Sequence, residues 1–261
     1  MGFNVNVLFR RKLHYVVIGG WLPDLIAKYP IYKYLLKKID CIYTETFLMK
    51  SQLDEVGFHN TLVMHNCKPL HILEHQQLVN FKTTPYPLCT FSRVIKSKGI
   101  EDAIIAVNNC NKELGVIFFS LDIYGLVQEK DWFDNLMKEQ PNTIKYCGMS
   151  PYNQSTEILH QYFALLFPTY YQGEGFAGTL IDAMAAGLPA IVSDWRFNKE
   201  IVTNGKTGYV FPTHNIIELT KILKNISEYP HVVNEMRSNC LQEAKKYLPN
   251  VVTKIIKEQI I

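Results

Sequence analysis

The sequence predicts an α/β protein built on parallel sheets. Short apolar, β-branched runs alternate with longer helical patterns along all 261 residues. The runs ALLF at 164–167, AIV at 190–192 and VIFFSLDIY at 116–124 are largely apolar, as strands covered by helices on both faces are. With 48% hydrophobic and 20% charged residues, the chain has the composition of a folded domain with a real core, which excludes a disordered tail.

Taken in order, strands are expected at His14–Ile18, Cys41–Tyr43, Thr61–Met64, Leu88–Phe91, Val116–Tyr124, Thr143–Tyr146, Ala164–Phe167, Ala190–Val192 and Gly208–Phe211. Helices are expected at Lys28–Lys38, Phe47–Val56, Ile100–Asn109, Asp131–Glu139, Gln154–His160, Thr179–Ala186, Phe197–Val202, Ile216–Ile226 and His231–Tyr247. Asn66, Pro69, Pro85, Pro87 and the polar runs between them read as an interdomain linker. The expected division is a partial N-terminal domain with linker at 1–80, a complete Rossmann-like domain at 81–230, and C-terminal helices at 231–261 that pack back toward the N-terminal domain.

Residues 1–80 carry nine Lys+Arg against six Asp+Glu, and the rest of the chain is balanced. The excess lies in Arg10, Arg11, Lys12, Lys28, Lys33, Lys37 and Lys38. It reads either as a solvated basic face or as a patch for an anionic membrane or ligand. Lys33, Lys37 and Lys38 stand among Ile31, Tyr34, Leu35 and Ile39, a pattern that suits surface binding or packing of a helix on its own sheet. A net charge of +3 without aromatic-basic interleaving argues against nucleic acid. No apolar run reaches the ~18 residues of a membrane span, and the N-terminus has no secretory-signal pattern. The expected location is cytoplasmic, at the inner face of the membrane if the basic patch is used. The six cysteines have no C-x-x-C pair and are expected as buried thiols, and His71 and His75 as a solvated pair rather than a metal site.

Two stretches carry chemistry. Thr169–Pro189 (TYYQGEGFAGTLIDAMAAGLP) follows a buried strand and contains a helix start. Ligands of open α/β sheets sit at that edge. Gly173, Gly175 and Gly178 let backbone amides approach a ligand, and the helix start near Thr179 favours a phosphate. Glu174 and Asp182, with seven residues between them, are suited to accept hydrogen bonds from sugar hydroxyls. A nucleotide-sugar needs both kinds of contact; an ordinary glycine-rich turn with one capping acid fits the stretch equally well. The second stretch, CTFSRVIKSKG at 89–99, places Arg93 and Lys98 after a strand. Two such cations neutralise a diphosphate, although a basic loop in water also explains them. An NAD(P) oxidoreductase is disfavoured: the first strand is not followed by G-x-G-x-x-G with an acid ~20 residues on.

Ser92-Arg93…Lys98-Gly99 and the helix IEDAIIAV resemble the G-R-x-x-x-x-K-G signature of retaining glycosyltransferases of family 4. Glu174-Gly175-Phe176 through Asp182-Ala183-Met184 resembles their E-x7-E signature, and Lys199-Glu200-Ile201-Val202…Thr207-Gly208-Tyr209-Val210-Phe211 resembles the segment after it. The resemblance implies a GT-B architecture, here with a shortened N-terminal domain, and a nucleoside diphosphate-sugar as co-substrate with no essential metal or other cofactor. It implies that Arg93 and Lys98 hold the diphosphate and that Glu174 contacts the transferred sugar. The amides of Gly175, Phe176, Ala177, Gly178 and Thr179 would touch sugar and phosphate, Asp182 the ribose, and Tyr146 would lie near the base. The acceptor would be a lipid-linked or polysaccharide hydroxyl.

Three departures accompany the resemblance. Asp182 stands where the family usually has Glu, and Ser92 where it has Gly. Gly19-Gly20, in YVVIGGW, stands where many relatives carry a histidine. The short N-terminal half adds the alternative of a non-catalytic or truncated subunit whose protein partner supplies the missing elements.

Overall fold

The computed structural model describes residues 11–260, less the side chains of Tyr152 and Ile260. Arg10, part of the expected basic patch, lies outside the described residues.

Two parallel sheets organise the chain. The first has the order β1-β2-β3, from β1 (His14–Val16), β2 (Cys41–Thr44) and β3 (Thr61–Val63). Its helices are α1 (Leu22–Lys28), α2 (Pro30–Leu36) and α3 (Phe47–Glu55). Between β3 and β4 the chain forms a single 3-10 turn, His75–Gln77.

The second sheet comprises β4 (Tyr86–Phe91), β5 (Phe119–Tyr124), β6 (Ile144–Gly148), β7 (Ala164–Phe167), β8 (Ala190–Ser193) and β9 (Gly208–Phe211). Its order is β6-β5-β4-β7-β8-β9, all parallel. This is the Rossmann order, with its reversal between β4 and β7. The connecting helices are α4 (Ile100–Leu114), α5 (Lys130–Met137), α6 (Ser155–Leu159), α7 (Gly178–Ala185), α8 (Asn198–Ile201) and α9 (Ile216–Glu228), followed by α10 (His231–Ala244), α11 (Pro249–Val252) and α12 (Lys254–Ile260).

Successive strand residues feed opposite cores, as the pleat requires. Leu88, Leu166 and Ile191 pack with Ile104, Val107, Leu219 and Leu223 on one face. Cys89, Leu165 and Val192 pack with Leu180, Met184 and Cys240 on the other. All four residues of β7 and of β8 are buried, which is why these strands read as continuous apolar runs. A third core, including Val17, Ile42, Met49, Leu53 and Phe58, belongs to the first sheet, and Phe197 enters it from the second half of the chain.

Four expectations are corrected. The helix expected at Lys28–Lys38 is the shorter α2, Pro30–Leu36, and α1, Leu22–Lys28, stands before it where no helix was expected. Tyr29 precedes Pro30 and is extended (φ −132°, ψ 92°), because the proline ring crowds a helical residue before it. The strand expected from Val116 begins at Phe119; the Asn111 side chain takes the amides of Phe118 and Phe119, leaving Val116 and Ile117 exposed. Cys147 is exposed and Cys67 half-buried, whereas Cys41, Cys89, Cys110 and Cys240 are buried. The basic helix packs on its own sheet only in part: Leu36 meets the first sheet's core and Ile39 is buried just past the helix end, while Ile31 and Tyr34 are 60% and 59% exposed.

The halves are tied by charged side chains. Glu200, in α8, accepts the amides of Phe47 and Leu48, both at 2.7 Å, and so caps α3 of the first sheet. Arg196 donates to Gly20 O at 2.7 Å and to Asp24 at 2.5 Å. Replacing Glu200 by Ala removes a cap that typically contributes about 1–2 kcal/mol. E200A is expected to lower unfolding free energy by that amount in urea melts, with faster amide exchange concentrated in α3.

Candidate functional site

The site is built where β4 and β7 end side by side, at the reversal of strand order. After β4 the chain runs through Ser92 and Arg93 into a 3-10 turn, Lys96–Lys98, that stops at Gly99. Gly99 has φ 70°, and a Cβ there would stand 2.2 Å from Pro168 O. Only glycine lets this loop sit directly on the end of β7. Tyr170 donates its amide to Ser97 O at 2.8 Å and closes the seam.

That seam brings the expected residues together. Lys98 Nζ lies 2.5 Å from Glu174 Oε2, with both side chains buried. Thr169 Oγ1 donates to the same carboxylate oxygen at 2.9 Å. The Arg93 guanidinium lies 4.8 Å from the Tyr171 ring centroid, and Lys98 Nζ is 5.2 Å from that ring. Arg93, Lys98 and Glu174 therefore share one rim. Tyr171 was not anticipated; its only signal is its place in an aromatic pair just past a buried strand.

The helix start expected near Thr179 is present as the first turn of α7. No side chain caps it, so its leading amides remain available for an anion. Thr179 Oγ1 donates to Phe91 O at 3.0 Å, which fixes this turn against β4. Beside it is a cavity of about 250 Å³ lined by Ser92, Gly125, Leu126, Met149 and Thr179 among others. Tyr146 does not line this cavity. Its hydroxyl donates to Gly125 O at 2.9 Å and its ring packs edge-on against Phe133, which leaves it exposed beside the cavity.

Asp182 lies one turn further along α7 and is buried. It is ion-paired with Lys68 of the linker, in a second cavity of about 300 Å³ lined also by His71, Asn153, Ser155 and Thr156. Burial pushes its carboxyl above the ordinary value of 3.8, opposed by Lys68.

Sequence reasoning missed Glu45. It follows β2, and only 4% of it is exposed. Its Oε2 accepts the amide of Gly19 at 3.0 Å and, across the two halves, that of Phe176 at 3.1 Å. Burial raises its carboxyl above 4.5, opposed by the Phe176 and Gly19 amides. His65 Nδ1 meets Glu45 O at 2.8 Å and its ring stacks near Phe176, whose carbonyl accepts from Asn66. An acid at the carboxyl end of a parallel strand was the available signal. Among the described residues, no group of three His, Cys, Asp or Glu is placed to hold a metal ion.

This geometry has relatives. The family model of glycosyl transferases group 1 matches residues 72–247, more than half of the chain. The chain belongs to that family. It is 29% identical over 187 residues to the UDP-N-acetylglucosamine–peptide N-acetylglucosaminyltransferase GtfA subunit of Streptococcus gordonii, covering 67% of this chain and 36% of that protein. It is 26% identical over 151 residues to a glycogen synthase of Mycobacterium tuberculosis, covering 57% and 36%. The chain thus spans about a third of these relatives' length. Among solved structures, Anabaena HepE in complex with UDP superimposes with a TM-score of 0.81 at 17% identity, covering 99% of this chain and 74% of that one. TarM of S. aureus gives 0.76 at 18% identity, covering 95% and 50%. The fold is a partial GT-B architecture.

Removing one member of a buried ion pair typically costs about 3–5 kcal/mol, because the other charge is left unpaired. K98M is expected to lose roughly that much unfolding free energy in urea melts, and the K98M/E174L pair to recover most of it. A second expectation concerns pH. Glu45 and Asp182 are both raised on folding, so each contributes stability complete below its ordinary value, 4.5 and 3.8, and lost as pH rises through its folded value. The decline in stability as pH rises from 3.8 is expected to be shallower in D182N than in wild type.

Proposed function

We propose that this chain carries the donor-binding part of a glycosyltransferase that moves a sugar from a nucleoside diphosphate to an acceptor hydroxyl with retained configuration. The observation that carries the reading is the shared rim: a carboxylate, an ammonium and a guanidinium meet around Tyr171, beside an uncapped helix start and a cavity. Glu174, held by Lys98 and Thr169, accepts hydroxyls of the transferred sugar. Arg93, Lys98 and the amides of Gly178 and Thr179 face the diphosphate. Negative charge grows on the departing phosphate as the glycosidic bond breaks, so contacts to it strengthen most in the transition state. The departing phosphate takes the acceptor proton on the same face, and no covalent sugar–protein step is invoked. Asp182 takes the ribose hydroxyls.

The acceptor in this reading is a lipid-linked or polysaccharide hydroxyl in cell-surface synthesis. The lysines at 28, 33, 37 and 38, beside the exposed Ile31, Tyr32 and Tyr34, support contact with an anionic membrane face. Among the described residues, no helix is long and apolar enough to cross a membrane.

A second reading is favoured by one observation. The chain spans 36% of a relative that is named as a subunit, and another solved neighbour is a GtfA/B complex. On that reading the donor half works only with a further polypeptide segment or a partner chain.

Loss of one charge-stabilising contact typically lowers turnover 10²–10³-fold, about 3 kcal/mol. With a panel of nucleoside diphosphate-sugars, R93A is expected to lower kcat by about that factor while donor binding, read by calorimetry, persists. Equal turnover in R93A and wild type would sink the phosphate role. Activity that appears only with a partner present would favour the second reading.

A further inference from the structure

Two side chains from the first 80 residues already occupy groups that the donor reading assigns to ligand. Glu45 Oε2 takes the Phe176 amide at 3.1 Å, and Lys68 takes the Asp182 carboxylate. A carboxylate on an amide is what a phosphate or sugar oxygen would be. An ammonium on Asp182 is what a pair of ribose hydroxyls would be.

At Glu45 no space remains for a second occupant. A Cβ on Gly175 would stand 2.3 Å from Glu45 Oε2 and 2.7 Å from Gly19 Cα. A Cβ on Gly20 would stand 1.9 Å from Glu174 O. The loop after β1 and the loop after β7 touch backbone to backbone, with the Glu45 carboxylate wedged between their amides. An amide has one hydrogen to give, so a ligand oxygen reaches Phe176 N only when Glu45 leaves.

We propose that Glu45 and Lys68 are built-in stand-ins for the donor, which hold the site shut between turnovers and are displaced together when a nucleotide-sugar binds. The proposal rests on the donor-site reading above. Displacement is accessible because burial disfavours the charged Glu45 carboxylate, which regains solvation on release. Both stand-ins come from the first sheet and its linker, so their release removes two contacts between the halves and leaves the Arg196 and Glu200 ties to carry the seam. Donor binding and the relation between halves are thereby one equilibrium. Apparent donor affinity falls by the fraction of molecules with the latch open.

The test is residue-resolved amide exchange at Gly19 and Phe176, with UDP-glucose, ADP-glucose and GDP-mannose as probes in turn, and affinities by calorimetry. In wild type without ligand both amides are expected to be protected. At saturation with the probe that binds, Phe176 stays protected by the ligand and Gly19 is released. E45A loses protection at Gly19 without ligand, whereas E45Q, whose amide oxygen still accepts both N–H groups, keeps it. E45A is expected to bind the probe about tenfold more tightly than wild type, 1.4 kcal/mol. K68M, which keeps Glu45, is expected to shift affinity in the same direction by a smaller factor. Should Gly19 remain protected at saturation, or should E45A bind as wild type or more weakly, the latch is overturned while the donor site stands. If no probe binds wild type or any variant, the donor reading falls and the latch with it.

Discussion

The buried ion pair between Lys98 and Glu174 is the contact on which the site depends. Its partners come from loops 76 residues apart in sequence, and they meet at 2.5 Å only because β4 and β7 are neighbours at the reversal of the sheet. Two charges out of water are tolerated when geometry is good and spare lone pairs are satisfied. Thr169 supplies that satisfaction, and Tyr171 covers Lys98 and Arg93 with one ring. A carboxylate fixed in this way is preorganised, and the cation beside it faces the same rim.

The same edge of the second sheet is the contact surface for the first. The loops after β1 and β7 approach to backbone distance because both carry glycine, and the Glu45 carboxylate joins their amides. Arg196 and Glu200 then brace the seam from α8 and the turn before it. Binding groups and interdomain groups are therefore the same atoms in part. The loop after β7 is thereby half of the contact between the two sheets.

Much of this was legible in the chain. The nine strands of the described residues were marked by apolar, β-branched runs, and β7, whose four residues are all buried, has the expected ends because a strand covered on both faces leaves little choice of residue. Arg93, Lys98 and Glu174 could be named because they stand in loops just past apolar strands, at the spacing of the signatures the chain resembles. Legibility failed where local preference met a neighbour-specific effect. Pro30 set the start of α2 by crowding Tyr29, and Asn111 held Phe118 and Phe119 so that Val116 and Ile117 lie outside the strand.

By itself the sequence determined the parallel α/β class, the order of the elements and the loops that carry the chemistry, since periodicity and glycine placement act over a few residues. Only the tertiary structure decided that Lys98 pairs with Glu174, that the Tyr146 hydroxyl bonds Gly125 beside the cavity, and that Glu45 and Lys68 reach the loop after β7 and the helix α7. Those outcomes depend on distances between segments tens to more than a hundred residues apart. Such distances are set by how the sheets pack, and no local pattern encodes them.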